Sequence, residues 1–153
     1  MATRTIHTSL PRAWPLLFPV TFLAHITEEY FGGFPAWSAR WLGFTFGPAG
    51  FLELNAAAWI VMFVASIVAT LGNAWLVVPF ATATFVNGCV HLALTVVTRS
   101  YSPGVITGTL FWIPLGAYTL RRKHAELSHA AFWSAAILGL ALHALVVFYA
   151  RFG

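Results

Sequence analysis

The sequence predicts an all-helical bundle that crosses a membrane about five times. Three observations point there. Of 153 residues, 59% are hydrophobic and 8% charged, where a soluble domain carries roughly a quarter charged residues; mean hydropathy is +0.81. The apolar residues are grouped in runs near the length of about 20 that spans hydrocarbon as a helix. The basic residues Arg4, Arg12, Arg40, Arg99, Arg121, Arg122, Lys123 and Arg151 fall at the ends of those runs and between them. The net charge of +4 therefore reads as membrane-flanking charge, with membrane lipids as neighbours and no nucleic-acid partner.

The first span is expected over 14–31. Arg4 and Arg12 ahead of an apolar run mimic a signal peptide, yet Pro15 and Pro19 interrupt the run and no A-x-A pattern follows. It is read as an uncleaved span. Residues 32–50 mix Trp37, Arg40, Trp41, Phe44 and Phe46 with glycines and prolines, which suits a short helix or loop lying at the interface. The second and third spans are expected over 51–71 and 74–97, joined by a Gly72-Asn73 turn. Pro103-Gly104 opens a fourth span over 104–120, since proline suits a first helical turn. A basic connection over 121–126 leads to a fifth span over 127–149. One transmembrane domain takes up residues 1–153. Cys89 is the single cysteine and excludes an intramolecular disulfide. Five basic residues (Arg4, Arg12, Arg121, Arg122, Lys123) fall on one side and three (Arg40, Arg99, Arg151) on the other. That bias puts the N-terminus of an integral membrane protein in the cytoplasm.

Three of the four carboxylates, Glu28, Glu29 and Glu53, lie inside expected spans. An ionisable group in hydrocarbon costs on the order of 3 kcal/mol or more and marks a candidate functional site. His25, Glu28 and Glu29 are spaced i, i+3, i+4 and are expected on one helix face. A helix rises about 1.5 Å per residue, so depth along each span can be compared. Glu53, Asn87, His91 and His143, with Tyr101 in the turn after the third span, fall in the same layer as that triad. The expectation is one intramembrane site built from these eight residues.

Three short motifs run through the layer. His25-Ile26-Thr27-Glu28-Glu29 is an H-x-x-E-E, Asn87 to His91 is an N-x-x-x-H, and Tyr101 to Thr107 is a Y-x-P-G-x-x-T. In that order, in a small polytopic membrane protein, they resemble the HXXEE-domain family over residues 15–110. The family has no established activity, so the resemblance implies candidate residues and no reaction. Glu53 and His143 lie outside those motifs and rest on depth alone.

Imidazoles with two or three carboxylates form a ligand set for zinc, iron or manganese. On this reading His25, Glu28, Glu53 and His91 bind a divalent ion, and Glu29 is a further ligand or the general base. Tyr101 assists catalysis or anchors its turn, while Asn87, His143 and Thr107 support the site. The corresponding function is metal-dependent, hydrolase-like chemistry on a small lipophilic substrate. A second reading needs no metal: paired carboxylates and a histidine act as acid and base in isomerising or cyclising a lipid or terpenoid. A third is proton- or ion-coupled transport, and a fourth is an accessory or structural role in which a glutamate pairs with Arg40 or His91. Gly104-x-x-x-Gly108 permits close helix contact, within the chain or between copies in a homo-oligomer.

Overall fold

A computed structural model describes residues 12–152; Arg4, noted above, lies outside them. The described residues are helical, without strands. A 3-10 turn (Trp14–Leu16) leads into α1 (Leu17–Phe31). The short α2 (Phe34–Leu42) follows, then α3 (Pro48–Thr70). A second 3-10 turn (Ala74–Leu76) opens α4 (Val77–Thr98). The next unit is α5 (Val105–Thr107), a π-helical segment (Gly108–Trp112) and α6 (Ile113–Glu126). The last helix is α7 (His129–Phe152).

Proline placement explains many of the starts. Pro19, Pro35, Pro48 and Pro79 fall in the first turns of α1 to α4, where the backbone N–H has no partner to lose. Pro114 follows the π-helical segment, whose wider turn relieves the carbonyls that its ring would otherwise crowd. The segment 32–50 contains a nine-residue helix, α2, bounded by Gly33 and Gly43 in the left-handed conformation.

Three helices are long and apolar enough to cross a membrane: Pro48–Thr70, Ala74–Thr98 and His129–Phe152. Their outer faces carry exposed Ile60, Val64, Val96, Leu140 and Phe148. The expected basic connection over 121–126 is helical instead. Glu126 takes Arg122 at 2.7 Å and Lys123 at 2.5 Å, and these i, i+4 and i, i+3 pairs extend α6 by two turns. The connection shrinks to Leu127 and Ser128, with the Ser128 hydroxyl accepting the Ala131 N–H at 3.3 Å as a cap for α7.

Helix α4 is central, packed against α6, α7 and the π-helical segment, while α1 packs on α3. Gly88 of α4 meets Gly108 so closely that a Cβ on Gly88 would lie 2.9 Å from the Gly108 carbonyl oxygen. Phe18, Phe22, Met62, Val78, Ala81 and Trp112 fill the core. Two half-buried indoles tie helices together, Trp59 to the Pro19 carbonyl and Trp75 to the Ala131 carbonyl, each at 2.9 Å. They act as cross-braces rather than as site residues.

Candidate functional site

The H-x-x-E-E motif serves two separate stations. Neighbouring residues on a helix project about 100° apart, and the chain packed against α1 exploits that divergence. His25 and Glu29 turn inward toward α4, and Glu28 turns toward the segment 101–107. The triad expected as one cluster is divided.

At the inner station, Glu29 Oε1 lies 3.5 Å from His25 Nε2 and 3.2 Å from His91 Nε2. All three residues are buried, and one ligand atom from each lies within 4.8 Å of the others. Tetrahedral zinc with bonds near 2.1 Å sets its ligands about 3.4 Å apart. The three side chains are therefore close enough to hold a metal ion.

Each imidazole is held from behind by a hydroxyl of one turn. His25 Nδ1 meets Thr107 Oγ1 at 2.8 Å and His91 Nδ1 meets Ser102 Oγ at 3.0 Å. Trp112 stacks on the His25 ring at 3.7 Å between centroids, and Phe34 lies 5.6 Å from the His91 ring. Gly104, at φ +102°, passes beneath both rings; a Cβ there would stand 2.8 Å from Cε1 of each. Only glycine combines that backbone angle with that clearance.

At the outer station, the Glu28 carboxylate accepts five hydrogen bonds. Tyr101 OH donates to Oε1 at 2.7 Å, and the N–H groups of Gly104 and Ile106 do so at 3.1 and 3.0 Å. The Thr107 N–H and hydroxyl donate to Oε2 at 2.7 and 2.5 Å. Five donors identify an ionised carboxylate, which only accepts. The Thr107 hydroxyl has one proton and gives it to Glu28, so toward His25 it must accept. His25 therefore carries a proton on Nδ1, and its Nε2 is bare in the neutral ring and protonated in the imidazolium. Nε2 is buried without a hydrogen-bond partner and faces the Glu29 carboxylate oxygen at 3.5 Å.

Beside the inner station lies a cavity of about 360 Å³, bordered by α1, α3, α4 and α7, with Phe22, Phe51, Asn87, Trp112 and His143 among its walls. Exposed Val61, Val146 and Val147 stand at its edge. The loop carrying Phe44 and Phe46 forms one wall and is fastened to the end of α7, where the Thr45 N–H reaches the Ala150 carbonyl at 3.2 Å.

The chain matches the family model described as "Protein of unknown function with HXXEE motif" over residues 16–119. It belongs to the HXXEE family. No curated protein and no solved structure matches it.

Within this HXXEE protein the sequence-nominated residues separate clearly. His25, Glu29 and His91 converge, and Asn87 and His143 line the adjoining cavity. Glu28 does not reach the metal-sized cluster, because its two oxygens are taken up by the turn. Glu53 is exposed on α3 and absent from the cavity wall; depth places a residue along a helix but not around it. Tyr101 is 46% exposed with its hydroxyl on Glu28, so it anchors the turn. Burial and the carboxylate push its phenol up to about 12. Thr107 links the two stations. Asn87 makes no hydrogen bond to His91 among the described residues; its Oδ1 is buried and unpartnered. Arg40 lies over Trp41 rather than against a glutamate.

Sequence reasoning missed Ser102 and Gly104 as a ring floor; it named Trp112 with Trp59 and Trp75 among aromatics able to face a cation, without placing it beside His25. Ser102 is the unassigned x of Y-x-P-G, and it is fully buried. Trp112 ends the π-helical segment, where ordinary helical spacing points to the wrong face.

Proposed function

We propose that this HXXEE protein is an integral membrane enzyme with a His25–Glu29–His91 metal centre that hydrolyses a small lipophilic substrate. The observation that carries this reading is the buried Nε2 of His25, which has no hydrogen-bond partner and lies 3.5 Å from Glu29 Oε1; in the neutral Nδ1–H ring its lone pair faces that oxygen. A lone pair facing a carboxylate repels unless an electron-poor partner intervenes, and a divalent cation supplies one. Two histidines and one glutamate with an open side are the ligand set of hydrolytic zinc sites, and an ion so held activates water near neutral pH. Hydroxyls that fix both rings from behind fit the outer-shell support such ligands use. The apolar cavity beside the cluster suits a lipophilic substrate arriving from the bilayer.

The topology that accompanies this reading has five spans. Helix α1 with its 3-10 turn and the α5–α6 unit complete the count begun by the three long helices. The N-terminus is cytoplasmic by the balance of basic residues.

Elemental analysis tests the metal centre. Purified wild type is expected to hold about one zinc, iron or manganese per chain. His25→Ala, Glu29→Ala and His91→Ala lose it while still folding, and Glu53→Ala keeps it. Wild type that takes up none of these metals, even after loading, overturns the reading. Release of acid from lipophilic esters by the loaded protein, absent in Glu29→Ala, tests the hydrolytic step separately.

One observation favours a metal-free alternative. The Trp112 face on His25 would stabilise an imidazolium, with a proton rather than a metal between Nε2 and Glu29. Nitrogen NMR of His25 separates the two, since an imidazolium carries protons on both nitrogens.

A further inference from the structure

Four buried side-chain polar atoms lack a partner among the described residues: His25 Nε2, Asn87 Oδ1, Trp112 Nε1 and Ser66 Oγ. The first three belong to residues that line the one cavity beside the His–Glu cluster. Buried polar groups in folded proteins are nearly always paired, so unpaired ones gathered at a cavity call for a ligand that pairs them. His25 is accounted for by the proposed metal. Asn87 and Trp112 are not.

Asn87 and His91 are four residues apart on α4 and share one face, with Cβ atoms about 6 Å apart. The carboxamide thus sits one helical turn from the His91 ligand. Helix α7 contributes His143 to the same cavity. The remaining wall is mostly aromatic and aliphatic, including Phe22, Phe51 and Met62. A saturated hydrocarbon would fill that space and leave the amide oxygen unpaired.

We infer that Asn87 is a second polar anchor that selects the substrate class: an acyl ester or amide with an apolar chain and a free hydroxyl about one helical turn from its carbonyl. The assignment of the reacting carbonyl rests on the hydrolytic reading; the anchor itself does not. A hydroxyl both donates and accepts, so it pairs with the carboxamide whichever way the amide is turned. The Trp112 indole N–H only donates and matches a carbonyl oxygen.

The test measures binding without turnover. The probe is 1-O-decylglycerol, an ether that cannot be hydrolysed, compared with the same molecule methylated on both hydroxyls. Calorimetry uses the protein in nanodiscs, with empty nanodiscs subtracted. Wild type is expected to bind the diol at least tenfold more tightly than its methylated partner. Asn87→Leu, close in size, brings the two within about twofold. Glu29→Ala, which dismantles the proposed metal centre, keeps the preference for the diol. Equal binding of both probes by wild type overturns the inference, and this arm needs no variant to fold. Preference retained in Asn87→Leu, or lost in Glu29→Ala, overturns it as well, because discrimination would then lie elsewhere. A protein that holds no metal but shows the Asn87-dependent preference refutes the metal reading alone.

Discussion

The carboxylate of Glu28 and the imidazole of His25, three residues apart on α1, meet across a single hydroxyl on another helix. Thr107 Oγ1 lies 2.5 Å from Glu28 Oε2 and 2.8 Å from His25 Nδ1. Through that link an acidic residue remote from the metal-sized cluster keeps a proton on Nδ1 of a residue within it.

Removing the link isolates this effect. Thr107→Val leaves Glu28 its other donors but frees His25 to take either tautomer. Metal affinity is expected to fall about 10–100-fold, the usual scale for an outer-shell partner, and Thr107→Ser should restore it. Competition with a chelator of known affinity reads the change; an unchanged affinity in the valine variant would show that the hydroxyl does not hold the ring.

The two adjacent glutamates are expected to fail differently. Glu28→Ala strands the N–H groups of Gly104, Ile106 and Thr107, and leaving such donors unpaired costs on the order of 2–4 kcal/mol in total. Glu29→Ala removes a buried carboxylate facing two imidazoles, so metal-free stability is expected to change little while metal is lost. Thermal unfolding of metal-free protein in detergent compares them. Equal destabilisation would mean that the motif's two acids do not divide their work.

Gly104→Ala combines two penalties. The left-handed backbone costs roughly 1–3 kcal/mol for a residue with a Cβ, and that Cβ would press on both imidazoles. The variant is expected to fold less stably and to lose metal stoichiometry. Full occupancy in a stable Gly104→Ala protein would place the rings further from this turn.

Tyr101 is expected to stay protonated well above the ordinary range. Its phenol is raised by burial first and by Glu28 second, to about 12, against about 10 in an unfolded chain. A raised value favours the protonated form in the fold. The stabilisation is thus complete below pH 10 and lost as pH rises toward 12, and its size is reduced by the ring's partial exposure. The difference in phenolate absorbance between wild type and Tyr101→Phe should titrate near pH 12; a difference centred at 10 would contradict the contact with Glu28.

At the other end of the molecule, Lys123 first and Arg122 second hold the Glu126 carboxyl below its ordinary value. That depressed acid contributes stability above the unfolded-chain value near 4.3 and loses it as pH falls through the lower folded value. Glu126→Gln should flatten the acid limb of the unfolding curve without altering metal content. An identical acid limb in both proteins would mean that the pairs add nothing to α6.

Much of this arrangement was legible in the chain, and the failures share a cause. The runs that became α3, α4 and α7 were long and apolar, so hydropathy located them within a few residues. Depth along a helix brought His25, Glu29 and His91 to one level, and Asn87 and His143 to the cavity. Depth does not report direction around the axis. Glu53 shared the level and faces outward, and Glu28 shared the motif and faces the neighbouring turn. Ser102 went unnoticed because a serine inside a motif carries no mark of its own, and Trp112 could not be told from Trp59 and Trp75 among seven tryptophans as the one beside a histidine. The helical end of α6 was hidden by charge: a cluster of arginines and lysine looks like a connection until Glu126 is seen to pair with it.

The valines at the cavity's edge, Val61 on α3 and Val146 and Val147 on α7, would give the proposed reaction an unusual concentration scale. On the proposed reading, a substrate admitted past them would come from the surrounding oil and not from water. Turnover should then follow the mole fraction of substrate among the lipids, so that adding inert lipid at fixed total substrate slows the protein by surface dilution.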